Sequence, residues 1–115
     1  MRTLEYGDLK ISVDDEGYLV NIDEWNEKVA CGLTQTVEDV DDCDLTDERM
    51  EILKFMRDYF KRFESFPIVR YVCKNVNQGD QCLYEQFIDP LKAWKIAGLP
   101  KPTPDAIARI KHELE

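Results

Sequence analysis

Residues 46–63 read Thr46-Asp47-Glu48-Arg49-Met50-Glu51-Ile52-Leu53-Lys54-Phe55-Met56-Arg57-Asp58-Tyr59-Phe60-Lys61-Arg62-Phe63, and the fold turns on them. Ile52, Leu53, Met56, Tyr59, Phe60 and Phe63 recur at helical spacing and make one apolar stripe. Thr46 is a good N-cap, and Asp47 and Glu48 suit the positive end of the helix dipole. Leu45 and Met50 take the flanking positions of a hydrophobic staple. An aromatic stripe at this spacing reads as core, not as a cofactor box. This should be the central helix, with Leu53, Met56, Phe60, Phe63 and Trp25 buried together.

Upstream, residues 3–6 and 9–13 read as strands around Gly7-Asp8, a two-residue hairpin loop in which glycine supplies a positive φ. Asp14-Asp15-Glu16-Gly17 makes a second turn, and residues 18–20 a short third strand. Asn21 and Glu24 resemble a capping box. Ile22, Trp25, Val29 and Leu33 then give a helical face that Gly32 should stop. Residues 34–44, with Glu38, Asp39, Asp41, Asp42 and Asp44, read as a solvated acidic loop. They lack the glycine and final glutamate of a calcium loop.

Downstream, Pro67 fits the first position of a helix with Val69, Val72, Cys73 and Val76 inward. Residues 77–79 end it. Asp80 should cap a short helix carrying Leu83, Tyr84 and Phe87. Asp89-Pro90 starts the next, with Leu91, Trp94 and Ala97 inward and Gly98 at its end. Prolines keep residues 99–104 extended. Thr103-Pro104 opens a last helix whose apolar side is Ile107, Ile110 and Leu114. An isolated helix of that length is marginal in water, so it should form only by docking on the domain or on a partner, and docking on the domain is the expectation. The expected fold is α+β: five or six helices with an N-terminal β-hairpin and a helix-turn-helix-like middle.

A chain of 115 residues suits one domain. No apolar run approaches the length of a membrane span, and the first residues show no signal-peptide pattern, so a cytoplasmic protein is expected. Residues 1–48 carry 3 basic against 15 acidic side chains and residues 49–115 carry 12 against 9, a split of −12 and +3 within the net −9. That total repels nucleic acid at long range. Arg70, Lys74, Lys92 and Lys95, on consecutive helices, read as a solvated face, with a DNA-binding regulator as the alternative.

Neither a phosphate-binding glycine loop nor a serine-nucleophile motif occurs. The four cysteines, Cys31, Cys43, Cys73 and Cys82, match no zinc spacing, so neither metal nor cofactor is expected. In a reducing compartment they should be free thiols, with Cys73 and Cys31 as small buried hydrophobes. Cys43, among carboxylates, would be a poor nucleophile. Cys82, in the first turn of a short helix, is the best thiolate candidate. His112, near the C-terminus, reads as a solvated histidine. The residues alone show no catalytic constellation.

The order of short motifs is more specific. Asp15-Glu16-Gly17-Tyr18-Leu19 precedes Trp25-Asn26-Glu27-Lys28-Val29-Ala30. Leu45-Thr46-Asp47-Glu48 follows, then Phe55-Met56-Arg57-Asp58-Tyr59-Phe60, Pro67-Ile68-Val69-Arg70 and Leu83-Tyr84-Glu85-Gln86-Phe87. Ile96-Ala97-Gly98-Leu99-Pro100-Lys101-Pro102-Thr103 comes last and is the strongest. The series resembles the DsrC/TusE/DsvC family, which includes the gamma subunit of dissimilatory sulfite reductase and sulfur-relay relatives. It spans roughly residues 10–103.

The resemblance implies a helical domain with an N-terminal hairpin and a C-terminal arm. In the family a penultimate arm cysteine carries persulfide sulfur or links to substrate sulfur. DsrC proper has a second cysteine just before the Ile96-Ala97-Gly98 run; TusE relatives lack it and serve transfer RNA thiolation. In this chain that upstream position is Trp94. After Thr103 the expected Gly-Cys-Val is replaced by Pro104-Asp105-Ala106. The expected organisation is a DsrC-like domain over residues 1–103 and a helical extension over 104–115 in place of the cysteine arm. The implied role is a non-catalytic binding or regulatory protein that docks on sulfite reductase or a sulfurtransferase. Its partner-facing candidates are Arg70, Lys74, Lys92, Lys95 and Lys101. A sulfur carrier using Cys82 is the alternative.

Overall fold

The computed structural model describes residues 2–39, 43, 45–87 and 89–113, the last three as backbone. Asp41, Asp42, Asp44, Leu114 and the side chain of His112, all discussed above, lie outside the described residues. Strands β1 (Arg2–Tyr6) and β2 (Leu9–Val13) pair antiparallel, from Arg2 opposite Val13 to Tyr6 opposite Leu9. Gly7 turns the loop at φ +59°. The second turn forms as expected. Asp14 Oδ1 accepts from the amides of Glu16 at 2.8 Å and Tyr18 at 3.0 Å, and Gly17 sits at φ +91°. The third strand shrinks to a single bridge between Val13 and Leu19.

The first helical segment differs from expectation. Asn21 caps only a 3-10 turn, Ile22–Glu24, and Trp25 is extended (φ −68°, ψ 135°). Asn26 then caps helix α1 (Glu27–Val37), its side chain accepting from the Val29 amide at 2.9 Å. Gly32 does not stop this helix. It lies inside it because the hairpin crosses there: a Cβ on Gly32 would come within 2.6 Å of the Ile11 side chain. The helix therefore runs on into the segment read as an acidic loop.

Helix α2 (Asp47–Phe63) matches its reading, with Thr46 Oγ1 accepting from the Arg49 amide at 3.2 Å. Its stripe is set slightly differently. Ile52, Leu53 and Met56 are buried, Phe60 is half-buried, and Phe63 is 59% exposed. Phe63 closes the last turn, where Glu64 leaves the helix in the left-handed region, so the core has already curved away. Two arginines, Arg49 and Arg57, occupy the buried face instead.

Short helices follow: α3 (Val69–Asn75), α4 (Cys82–Gln86), α5 (Pro90–Ile96) and α6 (Pro104–Glu113). Pro67 precedes the α3 cap, Ile68. Gln81 rather than Asp80 occupies the α4 cap, without a side-chain bond. Asp89 caps α5 as expected, accepting from the Lys92 amide at 2.8 Å. Helix α2 packs on α3, α4 and α5, while α1 packs on α5 and on the hairpin. The main core gathers Ile52, Leu53, Met56, Val72, Leu83 and Trp94. A smaller core of Ile11, Val13, Leu19, Val29 and Leu33 joins the hairpin to α1. Trp25, half-buried, packs against both. Among the described residues, no helix is long and apolar enough to cross a membrane.

The cysteines are not free thiols. Cys31 pairs with Cys43 and Cys73 with Cys82, at Cα separations of 5.0 and 5.6 Å. The expectation of reduced cysteines rested on compartment and local spacing. Packing of α3 on α4 supplies the proximity that neither reveals.

Candidate functional site

The Ile96-Ala97-Gly98-Leu99 turn is held by two side chains from elsewhere in the chain, Trp25 and Arg57, and the segment after it by the neighbouring Trp94. Trp25 Nε1 donates to the Ile96 carbonyl at 2.9 Å. Arg57 Nη1 donates to the Ala97 carbonyl at 2.9 Å, and its Nη2 to the Ile22 carbonyl at 2.8 Å. Trp94 Nε1 donates to the Pro100 carbonyl at 2.6 Å. Gly98 sits at φ +71° with Trp25 pressed against it, so no side chain fits there. The Arg57 guanidinium lies 4.7 Å from the Trp25 ring centroid. Burial lowers its pKa, opposed by Asp23 and Asp58, which raise it.

Trp94 is buried against Phe66 and Phe60, at centroid distances of 4.6 and 5.7 Å. It therefore packs the base of the extended segment that leads to Thr103. Thr103 Oγ1 accepts from the Ala106 amide at 3.2 Å and opens α6. Ile110 is 1% exposed within the main core, and the Arg109 guanidinium donates to the Phe66 carbonyl. Asp105 stands exposed on the first turn of α6. The two positions compared with family cysteines thus hold a buried indole and a solvated carboxylate.

The basic candidates separate. Lys95 Nζ donates to the Glu16 carbonyl at 2.7 Å and lies 4.7 Å from the Tyr18 ring centroid. Lys101 Nζ pairs with Glu16 Oε2 at 2.9 Å. Both are committed to the Asp14–Gly17 turn. Burial raises the Tyr18 pKa, with smaller contributions from Glu16, Asp14 and Asp89. Arg70 and Lys74 are exposed on α3, where Arg70 lines a shallow cavity of about 260 Å³ with Ile68 and Tyr84. Lys92 is half-buried on α5. Cys82 offers no free thiolate: it is 1% exposed and bonded to Cys73, because its helix turns that side into the core.

The donors Trp25 and Arg57, and the Arg49–Glu38 ion pair at 2.6 Å, were absent from the sequence reading. The arginines had a signal. Arg49, Leu53 and Arg57 lie four apart, which puts two guanidinium groups on the same buried face.

Comparison with known proteins gives these features a family. A family model described as "DsrC like protein" matches residues 5–104, ending where α6 begins. The sulfurtransferase TusE of Photorhabdus laumondii is 35% identical over 102 residues, covering 81% of this chain and 88% of that protein. The dissimilatory-type sulfite reductase subunit gamma of Nitratidesulfovibrio vulgaris is 32% identical over 105 residues, covering 90% and 97%. Among solved structures, the oxidised gamma subunit from Archaeoglobus fulgidus superposes with a TM-score of 0.75 at 34% identity, covering 89% of this chain and 97% of that one. The Allochromatium vinosum DsrC structure gives 0.68 at 32% identity, covering 88% and 95%. By the family model, by its relatives and by its fold, the chain belongs to the DsrC-like protein family.

Proposed function

We propose that this chain is a binding or regulatory member of sulfur metabolism, which docks on a sulfite reductase or a sulfur-relay protein without carrying sulfur on an arm. One observation carries the reading. The segment after Gly98 is pinned by Trp94 and continues into a docked helix whose first turn holds Asp105. Sulfur carriage needs a thiolate that can reach its acceptor, and a carboxylate on a docked helix supplies neither. In this reading residues 1–103 keep the family's recognition surface, and residues 104–115 replace its cysteine arm.

Arg70 and Lys74, exposed on α3, are the cationic contacts best placed for a partner; Lys92 is less accessible. Lys95 and Lys101 would have to leave Glu16 to engage one. The test uses purified sulfite reductase and the sulfur-relay proteins from the same source in titration calorimetry. Saturable binding weakened by Arg70→Glu or Lys74→Glu supports docking. Persulfide loading, followed by intact mass, should leave the chain unchanged. A stable gain of one sulfur with no binding to either partner overturns the reading.

A further inference from the structure

The two disulfides stand in opposite surroundings. Cys73 and Cys82 are 0% and 1% exposed within the main core. Cys31 and Cys43 are half-buried and line a cavity of about 360 Å³ together with Glu27, Leu45, Asp47, Met50, Glu51 and Lys54. Thiol–disulfide exchange requires a thiolate to reach a sulfur, so access divides the pairs. We propose that Cys31–Cys43 is a thiol–disulfide exchange site for cationic or neutral thiols, and that Cys73–Cys82 is a closed structural link.

The surroundings let the outer pair open locally. A buried ion pair also fastens α1 to α2. Arg49 Nη2 lies 2.6 and 2.7 Å from the two Glu38 oxygens, with side chains 7% and 12% exposed. The same guanidinium lies 4.5 Å from the Phe87 ring centroid. Lys54 and Glu27 add an outer bridge at 3.1 Å. Opening Cys31–Cys43 therefore leaves the helices joined. Opening Cys73–Cys82 requires a breach of the core, a costlier fluctuation.

The cavity also selects by charge. Among the described residues, Glu27, Asp47 and Glu51 line it against one lysine, Lys54, itself paired with Glu27. An approaching anionic thiol meets repulsion there, and a cationic one does not.

The step balances with thiols alone. A thiolate attacks one sulfur, forms a mixed disulfide, and breaks the Cys31–Cys43 bond; the second cysteine leaves as thiolate. A second thiolate attacks the mixed disulfide and releases the other cysteine. The two incoming thiols are oxidised to one disulfide, and the pair gains two electrons and takes protons from solvent. The thiol can belong to a small molecule or to a cysteine of a partner protein.

The test treats the native, oxidised chain with cysteamine, 2-mercaptoethanol or 3-mercaptopropionate at matched thiolate concentration. Samples are quenched with an alkylating reagent and read by peptide mass spectrometry. Cys31 and Cys43 should be labelled at least about tenfold faster than Cys73 and Cys82. Rates should fall from cationic to anionic thiol, and the spread should shrink in salt. The two pairs should converge in denaturant, and circular dichroism should not change when the outer pair opens. Equal native rates, earlier opening of Cys73–Cys82, fastest reaction with the anionic thiol, or unfolding on outer-pair reduction overturns the proposal. Cys43→Ser leaves Cys31 as a free thiol, which in native extract exchanges into the disulfide form of the same partner, keeps one of its sulfurs as a mixed disulfide and releases the other as a thiol. A small-thiol adduct or a protein adduct identifies the source; no adduct of either kind also counts against the site.

Discussion

Arg57→Met keeps an aliphatic stem on the buried face of α2 and removes the guanidinium. The Ala97 carbonyl then loses the donor at 2.9 Å, and the Ile22 carbonyl keeps only the long contact from the Trp25 amide at 3.4 Å. A buried acceptor left unsatisfied costs about 1–3 kcal/mol. Loss of the cation over the Trp25 ring costs about 0.5–2 kcal/mol more. Burying methionine in place of a charge returns part of this, so the net loss should be about 2–3 kcal/mol. With a urea slope of about 1–1.5 kcal/mol per molar, the midpoint of a two-state unfolding curve should fall by roughly 2 M at constant slope. Arg57→Lys supplies one compact donor group where two carbonyls must be spanned, so it should lose about half as much. A loss under about 0.5 kcal/mol for Arg57→Met, or a lysine variant as stable as the parent, refutes the pinning role.

Leu53→Ala should cost about 2–5 kcal/mol. Phe63→Ala should cost less than about 1 kcal/mol, because Phe63 loses mainly its stacking on Tyr59; chemical unfolding of both variants checks the core face. Tyr18 has a folded pKa above its ordinary 10.0, so the unfolded chain releases this proton first as pH rises. Stability is then lost above pH 10.0, and Tyr18→Phe should flatten that alkaline limb in melts run across pH. Truncation after Thr103 should lower stability by about 1–2 kcal/mol, from the loss of Ile110 and Ala106 burial less the ordering of the helix. Amides of 107–113 should exchange more slowly than random coil, and coil-rate exchange would show that the helix is not docked.

The sequence carried most of the frame because local chemistry decides it. Thr46, Asp89 and Thr103 each accept from a backbone amide at the helix start where side-chain type placed them. Gly7 turns the hairpin for the same local reason. The failures are tertiary. Gly32 looked like a stop because glycine is a poor helix former, yet its missing Cβ is what lets Ile11 approach. Phe63 satisfied the period but lies past the point where the core touches α2. Cysteine pairing and the Trp25, Arg57 and Trp94 bonds join residues whose proximity only the folded chain creates. The resemblance alone set Trp94 and Asp105 against the family's cysteine positions; what those two side chains do in this fold was not legible.

What they do is coupled. Trp94 cannot be a thiol and also fill the space between Phe60, Phe66 and the Pro100 carbonyl. Its hydrogen bond to the Pro100 carbonyl anchors the segment that leads to Thr103. Thr103 then starts a helix in which, among the described side chains, Ile110 is the fully buried one, worth about 1.5–3 kcal/mol in the core. Ordering that helix cancels part of the gain. The docked arrangement is therefore favoured by a margin of about 1–2 kcal/mol, and the released one holds roughly 3–16% of the molecules. A carrier would need that minor state, since a sulfur acceptor inside another protein is reached only by a free arm. Here releasing α6 exposes apolar surface and presents a carboxylate with no sulfur chemistry. On the proposed reading, docking α6 costs the chain no thiol function, and the folded surface is the part that would meet a partner.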